Sequence, residues 1–481
     1  MKNRAISYIT LLLLAAMMTN SCGGDAPAAA TTSSDAGETT PAETEYVDPF
    51  KDDLPEGLDF GGKEFHILTY RGANLPVDAG SWPGYMMVEE ENGDLVNDTA
   101  YQRNRAVEER LNVKLLATET GDNLALNALQ PMILAQEDIY SMVMPHASEA
   151  PMSMISQNMF VDVNTMKYID LAKPYYNPSA SAAFRVGDAN YIIAGKYPYS
   201  TFPSVYLIYN KDKWAEYKFE DPYQLVRDGK WTHEKMMRFV KDTYQDLNGD
   251  GNRDINDFYG LATNAILYQY LYHSYGGKTI IGTKNGYEFG YGTEMAYNIT
   301  EKIISLLNDP NTFETGNYDN FKQGNSLLCL YGSSFLALRD MEFDFGILPV
   351  PKYDEQQEDY ITYLAGNFQM IPVTVSDTDF VGAVTEALYS ESAKNMEDAF
   401  VQKYVENKLL RDDGSIEMYK LLTATAAYET SRYIDLSGGL IYNFKPIGNL
   451  ISKGSADLAS EWASVKEAVT SAYADFFAKQ K

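Results

Sequence analysis

Glu64–Leu68 reads EFHIL, Asp98–Leu111 reads DTAYQRNRAVEERL and Val113–Thr118 reads VKLLAT. The first and third are apolar runs of strand length, and the second puts Ala100, Val107 and Leu111 on one helical face. Leu124–Ala135 again has helical spacing, and Ile139–Met144 (IYSMVM) is a further apolar run. Strand, helix, strand, helix, strand predicts a parallel sheet covered by helices. The ligand crevice of such a sheet lies beyond the carboxyl ends of its strands. The loops Thr69–Tyr85 and Pro145–Ala150 are therefore the first places to look for function.

A second alternating region follows. Tyr191–Gly195 and Val205–Asn210 are strand-like, and Trp231–Leu247 is helical, with Thr232 as N-cap and Met236, Val240 and Tyr244 on one face. Thr293–Leu307 is a helix, Ser326–Tyr331 and Phe343–Val350 are strands, and Tyr360–Pro372 reads as an extended crossing. Two separate helices are expected at Phe380–Tyr389 and Ala393–Leu410. A final amphipathic helix, Ala456–Ala478, carries Leu458, Trp462, Val465 and Val469 on its stripe. Trp231 and Trp462 are expected in the core, and Cys329, inside an apolar strand, as a buried thiol.

The 481 residues fit two or three domains. Lys plus Arg is 39 against 67 for Asp plus Glu, a net charge of −28, which repels phosphate backbones and speaks against nucleic-acid binding. Two cysteines and four histidines exclude a disulfide framework and a Cys/His zinc site. Tyr outnumbers Phe 37 to 21, a surplus of rings that also hydrogen-bond.

The chain opens with Lys2 and Arg4 and an apolar run, Ile6–Met18, too short to span a bilayer as a mature helix. Cys22, followed by Gly23 and Gly24, makes this leader resemble a bacterial lipoprotein signal. Residues 1–21 are then a signal peptide and Cys22 the lipidated N-terminus. Asp25–Glu45 lacks aromatic and large aliphatic residues, so 22–55 reads as a lipid-bearing tether that holds the body at the extracellular face of the cell membrane.

Asp246–Asp257 (DLNGDGNRDIND) has the spacing of a calcium loop. Oxygen side chains fall at positions 1, 3, 5, 9 and 12 of the loop (Asp246, Asn248, Asp250, Asp254 and Asp257), with the Asn252 carbonyl at 7 and Gly251 at the sharp turn. A structural Ca2+ is expected there. Asp257 stands where Glu is usual, and Arg253 where an apolar residue is common. The plain alternative is a polar turn after a helix.

Five stretches in order carry a wider resemblance: FGGKEFHIL (Phe60–Leu68), NDTAYQRNRAVEERLNVK (Asn97–Lys114), VYLIYNKDKW (Val205–Trp214), GKWTHEKM (Gly229–Met236), and FKQGNSLLCLYG (Phe321–Gly332) with FDFGILPVPK (Phe343–Lys352). The body resembles the extracellular solute-binding proteins of ABC importers, in the carbohydrate-binding group of the maltose-binding proteins. The resemblance implies an α/β, two-lobed periplasmic-binding-protein type II fold with a hinge and an interlobe ligand cleft. It places lobe one at about 56–165 and 362–435, and lobe two at about 166–361 and 436–481. It implies a small carbohydrate as ligand, an ABC permease as partner, a monomer, and membrane attachment through the lipid anchor only.

Sugars present apolar faces and hydroxyls, so their sites need aromatic platforms beside polar groups. The candidates are Tyr70, Arg71, Trp82 and Tyr85 after the first strand, and His146 and Ser148 after the third. Tyr197 and Tyr199 precede a strand, Tyr331, Ser333 and Phe335 end and follow another, and Asn367 lies at the crossing. Trp82 is the best single platform. For each of these, simple packing is as good an explanation as ligand contact. The rival classes are a secreted polysaccharide hydrolase and a surface adhesin. The adjacent carboxylates Asp52–Asp53, Glu89–Glu91 and Asp412–Asp413 read as solvated surface, and no GxSxG or HExxH motif is present. The GGKT at Gly276–Thr279 has Tyr272 where a phosphate loop needs glycine.

Overall fold

The apolar run at the start of the body forms the strand Lys63–Thr69, flanked in parallel by Val113–Glu119 on one side and Met142–Met144 on the other. The helix between the first two strands, Leu95–Leu111, begins at Asp94, whose carboxylate accepts from the amides of Val96 and Asn97. It ends at Asn112 in the left-handed conformation, φ 48°. Its stripe of Val96, Ala100, Val107 and Leu111 is buried, as the spacing predicts. These elements belong to a computed structural model that describes residues 48–70, 86–121, 124–146, 148–198, 203–283, 286–314, 318–332, 338, 341–403 and 412–479. Asp48–Lys481 makes up one unit.

A second, five-stranded sheet has the order Thr312–Glu314, Tyr259–Thr263, Ser326–Tyr331, Tyr206–Asn210, Phe345–Leu348. The first three strands run parallel, and Tyr206–Asn210 is antiparallel to both its neighbours. Its three inner strands, Tyr259–Thr263, Ser326–Tyr331 and Tyr206–Asn210, are buried at every residue, as in a sheet covered on both faces. Trp231, Cys329 and Trp462 are all buried in this lobe's core. Between the two sheets, Thr362–Leu364 pairs in parallel with Ala426–Tyr428. The Ser204 amide donates to the Tyr363 carbonyl at 3.0 Å.

Several sequence expectations change. Phe380–Tyr389 and Ala393–Leu410 are not two helices among the described residues: one helix runs Thr378–Phe400. Within it the buried Ser390 hydroxyl donates to the Phe50 carbonyl at 2.6 Å. The helix expected over Trp231–Leu247 starts at the Thr232 cap but ends at Val240. Asn311, buried, takes the Thr243 and Tyr244 amides at 3.1 and 3.0 Å, and Asp242 turns left-handed at φ 60°. Tyr191–Gly195 forms only isolated bridges, Ile193 with Gln369 and Gly195 with Tyr176.

The lobe boundaries shift as well. Residues 166–198 pack with the three-stranded sheet rather than with lobe two. Tyr175 and Tyr176 both donate to the buried Glu386 carboxylate of the long helix, the latter at 2.5 Å. Conversely Asp413–Ala424, expected in lobe one, packs on Phe345–Leu348 of the five-stranded sheet, with Met418, Tyr419 and Leu422 in its core. The carboxylate pairs resolve into structural roles. Asp52 is buried in a two-bond fork with Arg110, at 2.6 and 2.7 Å, which holds its carboxyl below the usual range against the cost of burial. Asp412 caps Asp413–Ala424 and pairs with Lys211.

Candidate functional site

Tyr70 follows the last residue of the central strand and is buried there. Its hydroxyl donates to the Asn367 Oδ1 at 3.2 Å, and its ring meets that of His146 edge-on at 5.0 Å. His146 is held in place by Glu149. That carboxylate accepts from the His146 amide at 2.9 Å and from the amides of Ala125 and Leu126 at 3.1 and 2.8 Å. It thereby caps a helix, Ala125–Leu134, whose own N-cap Leu124 offers no side-chain oxygen. An anion is favoured at that end. The loop after the third strand is thus folded back so that His146 faces Tyr70. Ser148 Oγ lies 2.6 Å from His146 Nδ1.

The facing wall is built from Tyr270, from Tyr363 in the strand Thr362–Leu364, and from the chain after Ala426–Tyr428. Tyr363 stacks on Tyr270 at 4.3 Å, and its hydroxyl donates to Asn443 Oδ1 at 2.8 Å. The Asn443 amide in turn donates to the Tyr270 hydroxyl at 3.3 Å. Arg432, 9% exposed, donates to the Tyr363 hydroxyl at 3.3 Å. Tyr442 reaches across and donates to the Ser148 carbonyl at 3.1 Å. Asn443 and Phe444 both have positive φ, 46° and 62°, and this turn presents Tyr442 before the helix Lys445–Lys453 begins.

Burial, and then the charge of Arg432, push the His146 pKa down, so the imidazole is neutral at pH 7. Burial pushes Tyr70 up, so its hydroxyl keeps its proton and donates. The cluster offers flat rings, amides, hydroxyls and one guanidinium. It contains no pair of carboxylates placed for acid–base work among the residues named. What it can do is bind a neutral polyhydroxyl compound by stacking and hydrogen bonds.

Of the residues singled out in the sequence, Tyr70, His146, Ser148 and Asn367 come together here. Tyr197 instead lies in the first lobe's core, under the Arg103 guanidinium at 4.9 Å. Tyr331 lies in the second lobe's core, 5.5 Å from the Tyr206 ring and 4.4 Å from that of Tyr318. Arg71, Trp82, Tyr85, Tyr199, Ser333 and Phe335, like Cys22, lie outside the described residues. Tyr270, Tyr363, Arg432, Tyr442 and Asn443 had not been singled out. Pro446 was the available signal for the last two: proline is favoured in a first helical turn, so the residues just before it form an N-terminal loop.

In the loop Asp246–Asp257, Asp246 accepts from the amides of Gly249 and Gly251 at 2.7 and 3.0 Å. Asn248 and Asp250 accept from the amides two residues on, at 2.9 and 2.7 Å. Asp254 accepts from the Asn256 amide at 2.8 Å. Asp257 is buried and accepts from the Leu247 amide at 3.2 Å and the Tyr244 hydroxyl at 2.9 Å, closing the loop from inside. The donor set is all oxygen, as a hard cation requires. Among the described residues no group of three or more His, Cys, Asp or Glu side chains converges as a metal site.

Compared with protein-family models and with curated proteins, the sequence matches none. Solved structures do match. A cyclo/maltodextrin-binding protein complexed with maltotetraose superimposes with a TM-score of 0.54 at 13% identity, covering 87% of this chain and 98% of that one. A cyclic α-maltosyl-1,6-maltose binding protein from Arthrobacter globiformis gives 0.56 at 12%, covering 86% and 99%. The apo form of RafE from Streptococcus pneumoniae gives 0.51 at 13%, covering 86% and 98%. The chain has their two-lobed fold. The two strand systems described above are those lobes, and the cluster around Tyr70 and Tyr363 lies where they meet. Among the described residues no helix is long and apolar enough to cross a membrane.

Beside Arg432, Glu429 is 3% exposed and bonded by the hydroxyls of Thr279 and Ser431. Burial pushes its pKa from 4.5 up to about 7. Between those values the folded chain keeps a proton that the unfolded chain has lost, so this group's contribution to stability falls as pH rises. The loss is bounded at about 3 kcal/mol, at roughly 1.4 kcal/mol per pH unit. Urea unfolding at pH 5 and pH 8 should show the parent losing more stability than Glu429→Gln over that interval. Equal losses would refute the buried proton.

Proposed function

We propose that the protein is a receptor that captures an extracellular oligosaccharide between its lobes and hands it unchanged to an ABC permease. The observation that carries this is the neutral cluster of rings and amides at the lobe junction: Tyr70, His146, Tyr270, Tyr363, Tyr442 and Asn443. Ring faces match the apolar faces of a sugar, and the amide and hydroxyl groups match its hydroxyls. The shared fold supports the reading, since one of the matched proteins holds maltotetraose. A ligand that touches both walls only when the lobes approach shifts the population toward the closed form. Tyr442 is the residue to remove, because it spans from one wall to the Ser148 loop of the other. A stacking ring contributes on the order of 1 kcal/mol beyond its buried area. Tyr442→Ala should therefore weaken oligosaccharide binding by about tenfold or more in calorimetry. Unchanged affinity would remove the cleft assignment, and cleavage of the sugar during titration would replace receptor by enzyme.

The receptor acts as a monomer at the extracellular face of the cell membrane, held by lipid on Cys22 and by the tether that follows. The leader and the Ser21–Cys22 junction support this. Cys22→Ala should move the protein from the membrane fraction into the medium, and retention in the membrane fraction would exclude the anchor.

Calcium in the loop Asp246–Asp257 would stiffen the second lobe beside the strand Tyr259–Thr263. The spacing of oxygen side chains supports it. Chelation should lower the melting temperature of the parent and hardly affect that of the double variant Asp246→Ala, Asp250→Ala. A parent insensitive to chelator would count against the metal.

A further inference from the structure

A cavity of about 1740 Å³ lies between the lobes, and no residue of the cleft cluster lines it. One wall carries Tyr175, Tyr176 and Ala183, which belong to the first lobe's cores. The other carries His273, Ile280 and Tyr287. The strand Ala426–Tyr428 and Glu429 line it, whereas Arg432, one turn on, faces Tyr363 and the cleft. Its volume exceeds the range of about 300–1,000 Å³ that suits compact small molecules, so its occupant is extended.

The charges around it are matched and select no ion. Arg185 pairs with Asp188 at 2.5 Å, and Lys196 pairs with Glu397. Lys278 on one side is offset by Asp359 on another. The rings of Tyr175, Tyr287, Tyr360 and Phe477 supply apolar faces. The buried Nε2 of His273 has no hydrogen-bond partner. Burial pushes the imidazole pKa down to about 4, against a smaller opposing effect of the Ala427 backbone. A neutral imidazole has one donor and one acceptor nitrogen, and a hydroxyl can pair with either. Thr423 and Thr430 add hydroxyls of their own.

We propose that this cavity is a second binding site, taking a neutral oligosaccharide chain of its own beside the one in the cleft. Its walls come from both lobes, so its occupant and the cleft ligand bias the same hinge, and each changes the other's affinity by the same factor. Ala424 is exposed at its edge and Ala182 lies on the opposite wall, so an indole at either position fills the space without entering a core.

The test is the stoichiometry of binding, by calorimetry on the mature chain, of maltotetraose, cellotetraose, xylotetraose and mannotetraose. The parent should bind two molecules of at least one of these. Ala424→Trp and Ala182→Trp, checked for unchanged circular dichroism, should each bind one, with the lost event at least tenfold weaker. Tyr442→Ala should lose the other event. A single event abolished by the indole variants but kept by Tyr442→Ala supports the cavity and removes the cleft reading instead. The proposal is overturned if neither indole variant changes the binding of any of the four sugars, including the case in which none of them binds.

Discussion

Everything in the cleft hangs on how the chain crosses between its two sheets. A crossing segment is buried, and buried backbone amides and carbonyls must be paired. Here the crossings pair with one another. Thr362–Leu364 runs parallel to Ala426–Tyr428, and Ser204 ties in at both ends of its residue, its amide to the Tyr363 carbonyl and its hydroxyl from the Ala365 amide at 2.8 Å. Segments far apart in sequence thus form one unit. Tyr363, Asn367 and Arg432 belong to it or leave directly from it, which is why their side chains can face Tyr70 and His146.

The electrostatics follow from the same packing. Arg432 is a buried cation, and burying a charge is expensive unless it is hydrogen-bonded. The Tyr363 hydroxyl accepts from it at 3.3 Å and meets part of that need. Burial, and after it the charge of the guanidinium, keeps the neighbouring His146 imidazole neutral. The cluster is therefore polar, largely uncharged apart from one cation, and suited to hydroxylated ligands. On the other side of residues 426–429, buried Glu429 is kept protonated near neutral pH by the same exclusion of water. Both effects depend on the lobes packing where the crossings bring them together.

Parts of the site were legible because they follow strands. Tyr70, His146 and Ser148 sit after apolar runs whose carboxyl ends form the crevice in a parallel sheet. Asn367 sits in a segment too apolar to be a loop. Tyr270, Arg432, Tyr442 and Asn443 carried no such mark, because their place depends on contacts across 69 residues or more, the span between Tyr363 and Arg432. Tyr197 and Tyr331 illustrate the converse. Each lies at a strand end or beside one, yet the cation over Tyr197 and the rings around Tyr331 make both core residues.

Local pattern determined what depends on neighbours in sequence. The alternation of strands and helices, the cap at Thr232, and the buried stripes of the helices could all be read from spacing, because a helix or strand chooses its face by residues three, four or two positions apart. Only the tertiary structure decided where Trp231–Leu247 stops, since the amides that end it are taken by Asn311, far along the chain. Likewise only packing joined Phe380–Tyr389 to the helix beyond it, and moved residues 166–198 into the first lobe through a carboxylate on that helix. These outcomes rest on packing and hydrogen bonds between residues far apart in the chain, and no periodicity in the sequence encodes the partners of such contacts.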